Sequence, residues 1–332
     1  MTYTSGSLIE ATDYNGFVNT SSNNINKVWS TGTADFGYGE PAIPTVAAAD
    51  TVTAVQWANL VNKLSSLGSH TNTTITSRTA PVAGNTISIL ANVATDINNI
   101  TNNRGNAVGS GTTSTTWTGT TAKTTGTGSG GSAWTITWTH VVTFGSADAA
   151  RYFWNAGGLV RIDMSKTSTG TDTDPDWNTF VGTVGTFFVS GRVNSSSQTI
   201  AGTSYTGFTR SGGSGTPSPN LTTTGWYSLT PGAAATTMMT LTNTASPYTS
   251  DTISIIAAVN GGSTALTLTT TWSSATAGGD GQNRTISGGT TTGSPFTAFG
   301  TAPAVLVRFI PPSTTFLPTG SWGTPTVSAS VV

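Results

Sequence analysis

Residues 134–144 read WTITWTHVVTF. Trp134, Ile136, Trp138, His140, Val142 and Phe144 recur at every second position, and threonine fills most of the positions between them. A period of two places all six side chains on one face of an extended chain. Threonine suits the other face, because its β-branch fits the pleat and its hydroxyl tolerates water. Working outward, LVRIDM (159–164), VGTFFVSG (184–191), TMMTLTN (237–243), DTISIIAAVN (251–260), TALTLTTTW (264–272) and PAVLVRFI (303–310) repeat the pattern in short runs separated by Gly, Pro, Ser and Asn. Thr115-Thr116-Trp117-Thr118 reads as an edge strand within a Gly/Thr/Ser-rich stretch, 105–131. The expected fold is mainly β, an antiparallel β-sandwich or barrel-like domain over 106–332.

The first 105 residues differ. In 7–30, Ala11, Tyr14, Phe17, Val18, Ile25, Val28 and Trp29 fit one helical face, and Ser7-x-x-Glu10 has capping-box form. In 53–68, Ala54, Trp57, Leu60, Val61, Leu64 and Leu67 form a stripe that Thr53-x-x-Gln56 can cap and Gly68 can stop. A third helix is expected in 86–104, and an ordered Gly/Pro-rich loop in 31–50. Such short helices must pack on each other or on partner subunits. A small α-helical region, 1–105, therefore precedes the β domain.

Composition narrows the function. Of 332 residues only 8% are charged, with a net charge of −1, so the basic stripe of a nucleic-acid binder is missing. Ten Trp, twelve Phe and seven Tyr argue for a folded chain despite the Gly, Ser and Thr content. There is no cysteine, which excludes disulfides and thiolate metal sites. No apolar run reaches the roughly 18 residues of a membrane span, and no signal-peptide pattern opens the chain, so a soluble protein made in a cytoplasm is expected.

Catalytic groups are sparse. His140 lies on the apolar phase of 134–144 and is expected in a core or interface; His70 follows Gly68 and is expected at helix-end carbonyls. Asp172-x-Asp174-x-Asp176 imitates the start of a calcium loop, but the sixth position is Trp177 and the twelfth Thr183. The stretch reads as a solvated acidic turn, with no metal and no cofactor expected. Trp226-Tyr227 and Tyr205 with Phe208 read either as strand-end core or as stacking surfaces for sugar rings.

RYFWNAGG, 151–158, looks like a binding site because it is so aromatic. With alternating segments on both sides and the Gly157-Gly158 pair between them, it reads as a hairpin turn instead. Phe153, Asn155, Gly157 and Gly158 are then structural, and Gly157→Val is expected to unfold or disassemble the protein.

Several short motifs appear together and in order: Asp13-Tyr14-Asn15 with Asn19 beyond, Gly37-Tyr38-Gly39-Glu40, Thr53-Ala54-Val55-Gln56-Trp57-Ala58-Asn59-Leu60, and Ser69-His70-Thr71. Arg151-Tyr152-Phe153-Trp154-Asn155-Ala156-Gly157-Gly158-Leu159-Val160-Arg161 follows, then Asp176-Trp177-Asn178-Thr179-Phe180, Ser246-Pro247-Tyr248 and Thr269 to Trp272. In this series the chain resembles virion structural proteins of tailed bacteriophages, especially those of cyanobacterial and marine hosts. Trp154 and Val160 stand where that pattern has Phe and Ile. The resemblance implies a non-enzymatic particle component, a tail fibre or baseplate-attached appendage, with a receptor-binding adhesin for host surface polysaccharide or a neck or collar fibre as alternatives. It implies a homotrimer in contact with other tail, baseplate or neck proteins, located in the virion. Tyr14, Trp29, Tyr38, Trp57 and Leu60 would then pack the N-terminal assembly region. A polysaccharide-degrading enzyme is the least supported reading.

Overall fold

A computed structural model describes residues 10–19, 24–84, 92–110, 121–122, 134–167, 173–192, 196–245, 248–274, 285–287, 290–292 and 302–332. The helices among them are α1 (Ala11–Val18), α2 (Ile25–Trp29), α3 (Ala54–His70), α4 (Val93–Asn102), α5 (Ala147–Asn155) and α6 (Thr173–Val184). The strands are β1 (Asn106–Ala107), β2 (Thr121–Ala122), β3 (Trp134–Thr143), β4 (Leu159–Ser165), β5 (Thr186–Val189), β6 (Gln198–Ile200), β7 (Thr203–Tyr205), β8 (Phe208–Ser211), β9 (Thr236–Thr242), β10 (Thr252–Val259), β11 (Ala265–Ser274), β12 (Thr285–Ser287), β13 (Thr290–Thr292), β14 (Ala304–Ile310) and β15 (Thr326–Val331).

Two five-stranded antiparallel sheets dominate, in the orders β15-β3-β11-β10-β9 and β2-β14-β4-β5-β8. The protein is mainly β and sandwich-like, with a small helical N-terminal region. The alternation in 134–144 sends Trp134, Ile136, Trp138, His140 and Val142 inward, as expected. Ile253, Ile255, Ala257 and Val259 of β10 face the same interior, as do Val160 and Ile162 of β4 and Val305, Val307 and Phe309 of β14. In β9 both Met238 and Met239 are buried, because a bulge opposite Ile255/Ile256 inserts one extra residue. The outer face of the second sheet is partly covered by a small sheet, β1-β6-β7. There Leu159, Ala107 and Ile200 form a satellite cluster.

The helical region packs within one chain. The segment read as one face over 7–30 is two helices, α1 and α2; Ser7 lies outside the described residues. The Glu10 N–H donates to Asp13 Oδ2 at 2.9 Å, which ties off the start of α1. At α3, Thr53 and Gln56 exchange the expected capping-box bonds. The helix does not stop at Gly68 but runs on to His70. At Gly68 the returning chain comes close to the helix: a Cβ there would sit 3.2 Å from the Thr73 carbonyl oxygen and from Ile75. The reversal falls on Asn72, at φ +50. The third expected helix is present as α4; residues 85–91 and the 115–118 strand lie outside the described residues.

Residues 103–105 connect α4 to β1. The regions on either side share one hydrophobic core. Tyr14, Trp29 and Trp57 belong to the same contiguous cluster as Trp134, Phe153 and Phe309.

RYFWNAGG is not a hairpin. Residues 147–155 form α5, and β4 pairs with β14 and β5 rather than with a strand preceding it. The cause lies just upstream. The Ser146 hydroxyl accepts from the Ala149 N–H at 3.0 Å, Ala147, Ala149 and Ala150 favour helix, and Asp148 sits in the first turn. The far end is a Schellman motif: Gly158 N–H donates to Phe153 O at 2.8 Å and Gly157 N–H to Trp154 O at 3.3 Å. Gly157 takes φ +94, so the pair makes a tight turn, but one that ends a helix.

The acidic turn expected around Asp176 is also a helix, α6. Trp177, Phe180, Val181 and Val184 are buried along one side, and the Trp177 ring stacks on Trp272 at 5.6 Å, 10° from parallel. Asp172 and the side chain of Asp174 lie outside the described residues.

Candidate functional site: the junction at Asn155

The N-terminal motifs and the 151–161 stretch that carried the resemblance converge. Asn155, the last residue of α5, is 1% exposed. Its Nδ2 faces three backbone carbonyls of one loop: Ala34 at 3.3 Å, Phe36 at 3.0 Å and Gly37 at 3.0 Å. Its Oδ1 accepts from the Tyr227 hydroxyl at 2.6 Å. Burial holds that hydroxyl far above the usual phenol range, so it remains a donor. Arg151, one turn earlier, donates to the Thr31 and Phe36 carbonyls and to Asp148 Oδ1. The C-terminal half of α5 thus satisfies the loop's carbonyls, while its Tyr38 and Glu40 N–H groups donate to Val28 and Trp29 of α2.

That loop is the Gly37-Tyr38-Gly39-Glu40 segment. Gly37 and Gly39 take φ +90 and +80, and a Cβ on Gly39 would fall 2.5 Å from the Tyr152 ring. Tyr38 is buried, donates to the Arg104 carbonyl at 2.8 Å and meets the His70 ring edge-on at 5.0 Å. The Glu40 carboxylate, 3% exposed, accepts from Thr319 N–H at 3.0 Å and Thr319 Oγ1 at 2.6 Å. Asp35 pairs with Arg104 at 2.7 Å, and the Arg104 guanidinium lies 3.9 Å from the Phe36 centroid.

The first motif clamps the rest of the loop. Tyr14 packs edge-on against Trp57 at 5.2 Å. Asn15 donates to Val46 O at 2.8 Å and accepts from Val46 N at 2.9 Å; Asn26 does the same for Ile43. Each amide side chain imitates a strand partner for a backbone that has none. Trp29 and Leu60 are fully enclosed, and Trp29 Nε1 donates to Pro41 O at 2.8 Å. All five residues expected to pack the N-terminal region are buried, inside a single chain.

Of the aromatics considered as sugar platforms, Trp226 and Phe208 are buried and Tyr205 and Tyr227 are half-buried, and each ring or hydroxyl has a partner within the chain. Trp226 stacks on Trp154 at 5.4 Å, Phe208 on Phe187 at 4.8 Å, and Tyr205 meets Phe188 at 5.5 Å. Among the described residues no three His, Cys, Asp or Glu side chains cluster to hold a metal, and no helix is long and apolar enough to cross a membrane. His140 is wholly buried in the sheet interior. No protein-family model, curated protein or solved structure matches the chain.

His70 is the last residue of α3 rather than a residue beyond it, and it is buried beneath Tyr38 rather than turned to the helix-end carbonyls. Neither ring nitrogen makes a hydrogen bond of standard geometry. Burial pulls its pKa down to about 4, and the Ala156 carbonyl offsets only part of this. The unfolded chain therefore binds a proton that the folded chain refuses between the ordinary value of 6.5 and about 4. Stability from this group is complete above pH 6.5 and is lost as pH falls toward 4. The full loss is about 3 kcal/mol, at about 1.4 kcal/mol per unit. Asp176 acts the other way, since burial raises its carboxyl to about 6 despite the Asn243 hydrogen bond, but it is only half-buried and water screens it. Urea titrations at a series of pH values should show falling stability below pH 6.5, and His70→Phe should remove most of the slope. Identical slopes in the two proteins would show that His70 is not the responsible group.

Proposed function

We propose that the chain is a non-enzymatic structural component of a tailed-phage virion, a tail fibre or baseplate-attached appendage assembled as a homotrimer. One observation carries this reading. The N-terminal motifs and the 151–161 stretch on which the resemblance rests are spent inward: Asn155, Tyr38, Asn15 and Glu40 hold loop backbone, and Tyr14, Trp57 and His70 pack around it. Residues arranged for chemistry would present titratable groups to a cleft. Here the shared residues build a rigid body with a low-charge surface, which suits a part held in a large assembly.

The reading is tested on particles of the phage that encodes the chain. Gradient-purified virions should contain it at a fixed copy number in a multiple of three, and electron-microscopic labelling should place it on the tail or neck. Its absence from washed particles overturns the proposal, as does a purified chain that sediments as a stable monomer at micromolar concentration.

A further inference from the structure

A second feature lies away from the junction and plays no part in it. A cavity of about 320 Å³ opens between α6, residues 214–216 and the end of β9. Six hydroxyl side chains line it, among them Thr179, Thr216 and Thr244, together with the Asp176 carboxylate and the Asn243 amide. Phe180, 3% exposed, supplies an apolar patch. The volume is at the small end of the roughly 300–1,000 Å³ range of ligand pockets.

The polar pair in it is held in place before any ligand arrives. Asn243 Nδ2 donates to Asp176 Oδ2 at 3.0 Å, and Asn243 Oδ1 accepts from Ala245 N–H at 3.0 Å. The Asn243 backbone N–H is tied to the Asp251 carbonyl at 2.8 Å. Fixed donors and acceptors lose little freedom on binding.

We infer that this cavity is a binding site for a neutral polyhydroxylated ligand, a saccharide of one or two rings. The lining chemistry selects that class. Among the described residues no Lys, Arg or His lines the cavity, so an anion finds no counter-charge there beside a carboxylate. Arg210 stands behind the wall, committed to the carbonyls of Thr183, Val184 and Gly215. An apolar ligand would strip water from the exposed hydroxyls and the carboxylate of the lining without replacing those hydrogen bonds. Sugar hydroxyls donate and accept at once, which matches carboxylate, amide and threonine together. Among the described residues one carboxylate lines the cavity, whereas glycoside hydrolysis generally uses two, so binding alone is proposed. It stands independently of where the chain sits on a particle.

The test is saturation-transfer NMR on the purified full chain with glucose, galactose, mannose, N-acetylglucosamine and maltose at millimolar concentration. At least one sugar should bind, and Asp176→Ala should weaken it at least tenfold. Thr244→Trp, at an exposed position on the rim, should block it without touching the Asp176–Asn243 pair, and circular dichroism confirms that both variants fold. Binding that survives both substitutions places the sugar elsewhere and overturns the assignment. Overturning results for the ligand class are no binding by any of the five sugars, or saturable binding of calcium chloride or sodium sulfate that Thr244→Trp abolishes.

Discussion

Asn155→Asp is expected to unfold the protein or to lower its stability by about 3–5 kcal/mol, the range for a buried charge left without a partner. The exchange keeps the shape and removes the two N–H donors. A carboxylate then faces the carbonyls of Ala34, Phe36 and Gly37. Arg151 cannot neutralise it without abandoning Asp148 and the carbonyls of Thr31 and Phe36. The Tyr227 hydroxyl can still donate, but one donor does not offset three opposed oxygens. Tyr227→Phe removes only that donor, and about 1 kcal/mol is expected. Chemical denaturation of the two single variants and the double variant measures the coupling, since groups in one network are not additive. A folded Asn155→Asp protein within about 1 kcal/mol of the parent would show that the junction does not hold the loop.

Gly157→Val is the second large effect, of about 4 kcal/mol or more, from two separable causes. At φ +94 a β-branched residue is strained wherever it is placed, and the new Cβ would lie 2.5 Å from Ala107 Cβ. The double variant Gly157→Ala with Ala107→Gly removes the collision and leaves the backbone strain, about 1–2 kcal/mol. Gly158 supplies the contrast. Its φ is ordinary, and only the Phe153 ring, 2.6 Å from where a Cβ would stand, forbids a side chain. Gly158→Ala should therefore be rescued by Phe153→Leu, whereas Gly157→Val should not. Equal rescue at both positions, measured by thermal unfolding, would contradict this division.

The strands are legible because a period of two survives wherever one face is buried. WTITWTHVVTF and DTISIIAAVN match β3 and β10 almost end to end. α5 is masked because three successive aromatics suit a strand as well as a helix, while the deciding signal, Ser146 followed by Ala147-Asp148-Ala149-Ala150, lies upstream of the aromatic stretch. α6 carries its own signature, Trp177, Phe180, Val181 and Val184 at helical spacing, hidden by Asp and Pro that also suit turns. Asn155 and Tyr38 are identifiable as residues that matter; their partners are not. A side chain bound to a backbone carbonyl more than a hundred residues away leaves no mark on the residue that offers the carbonyl. The Asp176–Asn243 cavity is hidden for the same reason, since its walls are brought together from three separate stretches.

The bond between Glu40 and Thr319 spans 279 residues, and β15 returns to pair with β3 across nearly two hundred more. Contacts of such sequence separation make folding slow, because chain ends must find each other before they are rewarded. During synthesis, a nascent chain ending before residue 302 lacks β14, the strand joining β2 to β4, and cannot close the Glu40 contact. The second sheet, which β14 completes between β2 and β4, stays open until residues 304–310 are made. Until then the chain carries unfinished apolar surface, the condition under which partly folded chains aggregate.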